Sequence, residues 1–279
     1  MKKIKVLVSR TAGTNCDQET VHALRSCGAQ VDLVHLGQLT ASPERLLDYS
    51  MWVIPGGFSY GDDVAAGKIL ANELKYKLPE AVQNFVREGR LLIGICNGFQ
   101  VLVKLGLLPS LDGTLTQTAT LAHNTSGRFQ CQWVGMKTEK SRAQWLNKLP
   151  KKFELPMAHG EGKFIAIDKK TLNALEKNKQ VVFRYAPKNP NGSQNDIAGI
   201  CNVSGNVVGL MPHPERYVSA YQHPNWGTQK ANGALPKTTV GLMFWQQALQ
   251  QALQQASQQA LQQVSRRSSQ QASRRVSKI

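Results

Sequence analysis

The residues Gly94-Ile95-Cys96-Asn97-Gly98-Phe99-Gln100 set one nucleophilic side chain between two glycines. They follow an apolar run over residues 91–95 and lead into a second apolar-spaced stretch over 101–108. This pattern predicts a buried strand, a sharp turn and a helix, the elbow that stands a Ser or Cys at a helix N-terminus. The backbone dipoles there favour negative charge on the Cys96 sulfur. A cysteine in an apolar run is by default structural, which is the reading for Cys27, Cys131 and Cys201; the paired glycines reverse it for Cys96.

A thiolate nucleophile needs a proton carrier. Met211-Pro212-His213-Pro214-Glu215-Arg216, after the apolar run 207–210, supplies an imidazole with a carboxylate two residues on. Alternate side chains of extended backbone share one side, so Glu215 can orient His213 to take the Cys96 proton and later hand it to a leaving amine. The tetrahedral oxyanion of such a reaction needs backbone donors. Pro55-Gly56-Gly57-Phe58-Ser59-Tyr60-Gly61-Asp62-Asp63 offers glycines whose N–H groups can approach closely. It matches neither G-x-x-x-x-G-K-[ST] nor G-x-G-x-x-G, so the expected role is an oxyanion hole from the amides of Gly57 and Asn97.

These residues must be held by a frame, and the chain outlines one. Apolar runs over 4–8, 31–34, 51–54 and 91–95 predict buried strands, and 17–27, 65–74 and 78–88 have helical spacing. The alternation implies α/β architecture: a parallel sheet flanked by helices, with ligands at the carboxyl ends of the strands and functional loops after Val8, Ile54 and Ile95. Beyond Gly106, short runs over 129–134, 163–167, 181–185, 197–202 and 207–210 are expected to continue the same domain as mixed or antiparallel strands.

Residues 246–277 fall into eight four-residue units of Gln, Ala, Leu, Ser and Arg. Leu249, Leu253 and Leu261, spaced at multiples of four, would prolong a helix that starts near Thr238 and docks through Leu242, Phe244 and Trp245. The Ser/Arg half has too little apolar surface to order itself. The expected division is one domain over 1–252 and a partly helical or disordered tail over 253–279.

The 279 residues carry 34 Lys+Arg against 18 Asp+Glu, a formal net charge of +16. Five of those charges belong to the tail, which has no acidic residue. A basic protein gripping RNA or an acidic surface on an α/β scaffold is therefore a rival reading, but no aromatic-interleaved basic stripe supports it and no nucleic acid is expected. A 41% hydrophobic content excludes disorder throughout. Five scattered cysteines without a C-x-x-C pair argue against a disulfide framework and a metal site, and for a reducing cytoplasm. The first apolar run breaks at Ser9-Arg10, short of the roughly 7–15 residues of a signal-peptide core, and no run reaches the ~18 apolar residues of a membrane span.

The glycine loop, the Cys elbow and the late His-x-Glu, in this order, resemble the class I (triad) glutamine amidotransferases over residues 6–245. GICNGFQ together with PGGFSYGDD, AHGEGKF, NPNGS, IAGICN and MPHPER is similar to one branch of that family. Its members pass ammonia to a synthetase that uses ATP to convert formylglycinamide ribonucleotide into the amidine in purine biosynthesis. The resemblance implies a single flavodoxin-like domain, with Cys96 forming a glutamyl thioester, His213 as general acid/base, Glu215 as its partner and Gly57 and Asn97 as oxyanion donors. It also implies that Gln100 helps to hold glutamine. No cofactor is expected in this chain; ATP and Mg would belong to a large synthetase subunit, commonly joined by a small accessory subunit. The polar stretches 158–162 and 189–193 suit a partner surface or the mouth of an ammonia path, which would place His159 and Glu161 there; a structural hydrogen bond is an equal alternative for His159. Cysteine peptidases and DJ-1-like hydrolases share the elbow but not the Gln100 position or the late His-Pro-Glu. An amidotransferase of another pathway remains the nearest alternative.

Overall fold

The computed structural model describes residues 4–276, with side chains through residue 261. The near-continuous apolar runs become strands β1 (Lys5–Arg10), β2 (Gln30–His35), β3 (Met51–Ile54) and β4 (Leu91–Ile95). They are followed by β5 (Ala119–His123), β6 (Gln130–Thr138), β7 (Lys152–His159), β8 (Glu161–Ala166), β9 (Val181–Tyr185), β10 (Ile197–Cys201) and β11 (Val207–Leu210). One nine-stranded mixed sheet has the order β2-β1-β3-β4-β11-β10-β9-β6-β7. The first five strands in this order are parallel to their neighbours, and β10, β9, β6 and β7 add antiparallel pairs. Chain order and sheet order therefore part company at β11, which returns from late in the chain to pair with β4. This brings the turn after residue 210 beside the turn after residue 95.

Helices α1 (Asp17–Ser26), α2 (Leu36–Ala41), α3 (Lys68–Lys77), α4 (Pro79–Arg87), α5 (Asn97–Leu105) and α6 (Lys169–Lys177) accompany the strands. They are followed by α7 (Trp226–Ala231) and α8 (Val240–Val276). Every residue of β3, β4 and β11 is buried, and each Val, Leu or Ile so covered contributes about 1.5–3 kcal/mol. These fully covered strands are the ones whose ends carry the candidate site.

Several elements depart from the sequence reading. The helix expected from residue 65 begins at Lys68, because Gly67 takes a left-handed conformation (φ 73°) and ends the preceding loop. The run at 163–167 falls in β8, which pairs with β5 in a separate two-stranded sheet rather than in the main one. Helices α2 and α6 and strands β5 and β7 were not anticipated, since their half-exposed faces carry polar residues that weaken the periodic signal.

The last helix also differs. Its buried stripe is Val240, Phe244, Trp245, Ala248, Leu249 and Ala252, whereas Leu242 is only half-buried. Leu253 is 37% exposed and Leu261 71%. At 3.6 residues per turn, each four-residue unit advances about 40° around the axis. Leucines at multiples of four consequently rotate off the docked face instead of extending it. The Ser/Arg units, expected to lack order of their own, continue as helix to Val276. Ala, Gln and Arg are good helix formers, and propagation from a docked first turn avoids the cost of nucleation.

Candidate active site

Cys96 lies between the end of β4 and the start of α5 with φ 51° and ψ −104°, a strained conformation for a residue with a side chain. Two glycines permit it. A Cβ on Gly94 would sit 2.6 Å from the backbone of Gly98, and one on Gly98 would sit 1.9 Å from the Ile54 carbonyl oxygen. The turn is pinned by the Cys96 amide, which donates to Leu210 O at 2.8 Å. The Cys96 sulfur lies 3.6 Å from Ala158 O.

The segment after β11 delivers the imidazole. The His213 amide donates to Pro156 O at 2.8 Å, and its Nδ1 lies 2.6 Å from Glu215 Oε1 with both side chains buried. Burial opposes the imidazolium, but the Glu215 carboxylate and the Cys96 sulfur outweigh it and raise His213 well above the ordinary histidine value. Nε2 of His213 has no hydrogen-bond partner among the described residues. The meeting point is Gly56: a Cβ there would lie 2.9 Å from His213 Cε1 and 3.4 Å from Cys96 Cβ.

The glycine loop after β3 is braced from two sides. Gly57 has φ 142°, and a Cβ on it would sit 2.7 Å from Asn15 N. Phe58 N donates to Gly13 O at 2.9 Å, which ties the loop to the segment after β1. From the helix side, Asn97 Nδ2 donates to Asp62 Oδ1 at 3.1 Å, and its Oδ1 accepts from Ser59 N at 3.2 Å. Asn97 thus fixes the loop with its side chain, while its own amide opens α5 beside Cys96. Asn97 Nδ2 also donates to Gln100 Oε1 at 3.0 Å, and Gln100 Nε2 to Glu161 O at 2.5 Å.

A cavity of about 140 Å³ is lined by Gly57, Asp62, Cys96, Gln100, His159 and Glu161, among others. A second, of about 200 Å³, shares Gly57 and Cys96 and is also walled by Asn15, Cys16, His213 and Arg216. One reaches Cys96 from the Gln100 side and the other from the His213 side. The arrangement can seat an amide with its carbon at the sulfur, its oxygen toward backbone donors and its nitrogen within reach of a protonated imidazole.

His159 and Glu161 lie in the wall of the first cavity. His159 is 3% exposed and offers no surface to a partner. Its Nδ1 lies 3.0 Å from Asn124 Oδ1, which satisfies the structural alternative. Burial, reinforced by the charge on His213, pushes it down to about 4. Gly162 is explained by packing, since a Cβ on it would strike the His159 ring at 2.1 Å. In the 189–193 stretch Gly192 is exposed and Asn189 and Pro190 are half-buried, while Asn191 and Ser193 are buried and Asn191 Nδ2 donates to Gly162 O at 2.8 Å.

Sequence reasoning missed Cys16, Asp62, Asn124 and Arg216. Asp62 and Arg216 stood inside motifs already singled out, and adjacency to Glu215 was a signal for Arg216. Nothing in the spacing pointed to Cys16 or Asn124, because their partners come from distant segments.

Residues 3–265 match the model of the CobB/CobQ-like glutamine amidotransferase domain family. The phosphoribosylformylglycinamidine synthase subunit PurQ of Dehalococcoides mccartyi is 43% identical over 237 residues, 81% of this chain and 90% of the relative. The chain belongs to the PurQ family of glutamine amidotransferases. PurQ of Archaeoglobus fulgidus is 41% identical over 244 residues, 79% of this chain and 90% of that one. A chain in the structure of PurLQS from Thermotoga maritima superposes with a TM-score of 0.65 at 35% identity, covering 84% of this chain and 98% of its own length. Family membership makes the fold a glutamine amidotransferase fold and the chain an enzyme. The domain model extends past the last buried residue of α8, so the family likeness runs through the docked part of that helix.

Proposed function

We propose that the chain is the glutaminase subunit of phosphoribosylformylglycinamidine synthase, releasing ammonia from glutamine for the amidination of formylglycinamide ribonucleotide. The observation that carries the reaction is the strained Cys96 at the head of α5, facing a buried His213 whose Nδ1 is held 2.6 Å from Glu215. The Cys96 thiolate attacks the glutamine amide carbon, and the oxyanion is received by the amides of Gly57 and Asn97. Protonated His213 gives its proton to the amide nitrogen, the C–N bond breaks, and ammonia leaves a glutamyl thioester on Cys96. His213, now neutral, takes a proton from water; the hydroxide attacks the thioester carbon, and glutamate and the thiolate are restored. The raised affinity of His213 for its proton suits the first step, in which the imidazole must be a donor. Gln100, fastened to both Asn97 and Glu161, holds the substrate in the smaller cavity. Removing one oxyanion donor costs about 2.7–4 kcal/mol of transition-state stabilisation. A partner that shifts the Gly57 loop therefore governs the rate without touching Cys96.

The partner is a large synthetase subunit, a reading supported by the likeness to a chain of the Thermotoga maritima PurLQS structure, with a small accessory subunit in the same assembly. ATP and Mg act in the synthetase, and this chain needs no cofactor for the chemistry above. All five cysteines are free, which suits the cytoplasm, and no helix among the described residues is long and apolar enough to cross a membrane. The test is Cys96→Ala in the assembled complex. Glutamine-dependent amidine formation is expected to fall to background while ammonia-dependent formation persists; retained use of glutamine refutes the mechanism.

A further inference from the structure

The cavity on the His213 side holds a cysteine that the glutaminase reaction does not use. Cys16, just ahead of α1, is buried, and its Sγ, a ring nitrogen of His213 and a carboxylate oxygen of Glu215 all lie within 4.8 Å of one another. Nε2 of His213 and Oε2 of Glu215 are buried without a hydrogen-bond partner among the described residues. The free Nε2 is the nitrogen that carries the proton in the glutaminase reaction, whereas Glu215 Oε2 has no part in it and is a buried carboxylate oxygen left open beside a thiol, which is costly unless something occupies it.

We propose that Cys16, His213 and Glu215 form a binding site for a thiophilic divalent cation, zinc, whose occupancy switches the glutaminase off. A thiolate, an imidazole and a carboxylate suit zinc and exclude magnesium and calcium, which require oxygen ligands. Tetrahedral zinc places neighbouring ligand atoms about 3.5 Å apart, so a pair at the 4.8 Å limit closes by about 1.3 Å while the 2.6 Å contact of His213 Nδ1 with Glu215 Oε1 opens to admit the metal, both within the reach of side-chain rotation. The fourth position opens onto the cavity that Cys96 and Gly57 also line, as in sites that keep one place for solvent. Arg216 Nη2 donates to Cys16 Sγ at 3.1 Å while Arg216 Nε is held by Glu19 at 2.7 Å. Binding releases the proton of the Cys16 thiol and the proton of the His213 imidazole. The metal acts by competition: a ring nitrogen bonded to zinc cannot carry a proton between Cys96, ammonia and water. The ligands come from opposite ends of the chain, which is why no metal spacing was visible in the sequence.

The inhibitory half rests on the glutaminase reading; the binding half does not. The full chain is titrated with cobalt(II), whose sulfur-to-metal charge-transfer absorption reports a bound thiolate. Absorption is expected in the wild type, to be displaced by zinc, and to be lost in Cys16→Ser and Cys16→Ala. In the assembled complex, zinc is expected to suppress glutamine-dependent but not ammonia-dependent amidine formation, reversibly with a chelator. An unchanged denaturant midpoint shows that each variant folds, and zinc inhibition is read relative to that variant's own activity without zinc. Each should raise the half-inhibiting zinc concentration by about tenfold or more, the least that loss of even an outer-sphere partner costs a metal site. A cobalt band that survives both substitutions, or zinc inhibition unchanged by them, overturns the proposal. The cobalt spectrum needs no turnover, so its result is independent of the glutaminase assay.

Discussion

Two buried histidines in one site are pushed in opposite directions, and their neighbours rather than their depth decide which way. His213 faces a carboxylate and a thiol and is raised; His159 faces the neutral amide of Asn124 and the charge of His213, and burial takes it down to about 4. The consequences for stability fall in separate pH windows. His213 binds its proton more tightly folded than unfolded, so its contribution is complete below about pH 6.5 and is lost as pH rises through its folded value. For His159 the unfolded chain binds the extra proton, so stability falls as pH drops from about 6.5 to about 4, by roughly 3 kcal/mol at most. His159→Gln is expected to flatten the acid limb of a urea-unfolding series over that window and leave the slope above pH 7 unchanged. An acid limb identical to wild type would remove His159 from the account. Cys96, His213 and Glu215 were legible as residues because their glycine and proline neighbours constrain the backbone locally. His159 was singled out with two roles open, and only the fold, which sets its ring against Gly162 and Asn124 and leaves it no surface, chooses the structural one.

At the scale of elements, α8 supports the catalytic turn from behind. Gly241 allows the close approach: a Cβ there would lie 2.2 Å from Pro214 O, between His213 and Glu215 in the chain. The docked stripe ends at Ala252. Truncation after residue 252 is therefore expected to leave glutamine-dependent activity of the complex within a few-fold of the full chain. Trp245→Ala, which empties a fully buried site, should cost about 3–5 kcal/mol in denaturant unfolding. Equal damage from both changes would mean that the repeat beyond 252 carries folding or assembly. The strands of the parallel half were readable because burial on both faces leaves them continuously apolar. The drift of Leu253 and Leu261 off the docked face was not, since a four-residue repeat imitates helical spacing over one turn and departs from it only over several.

For the whole molecule, the +16 charge is a property of association and not of the reaction, whose residues need no basic groove. If the basic body meets an acidic synthetase surface, the association rate of the complex should fall by about tenfold between low and high salt while dissociation changes little. Stopped-flow association that is insensitive to ionic strength would remove charge steering from the assembly. The chemistry itself was written in short segments: a nucleophile between two glycines, an imidazole two residues from a carboxylate, and a glycine loop after a strand. Local sequence determines these because each depends on backbone geometry within a few residues. Only the tertiary structure decided that β11 pairs with β4, so that the turns after Ile95 and Leu210 open side by side. It alone also set Cys16 against His213 and enclosed His159 and Asn191, because proximity across a sheet is fixed by strand order and packing, which no local spacing encodes.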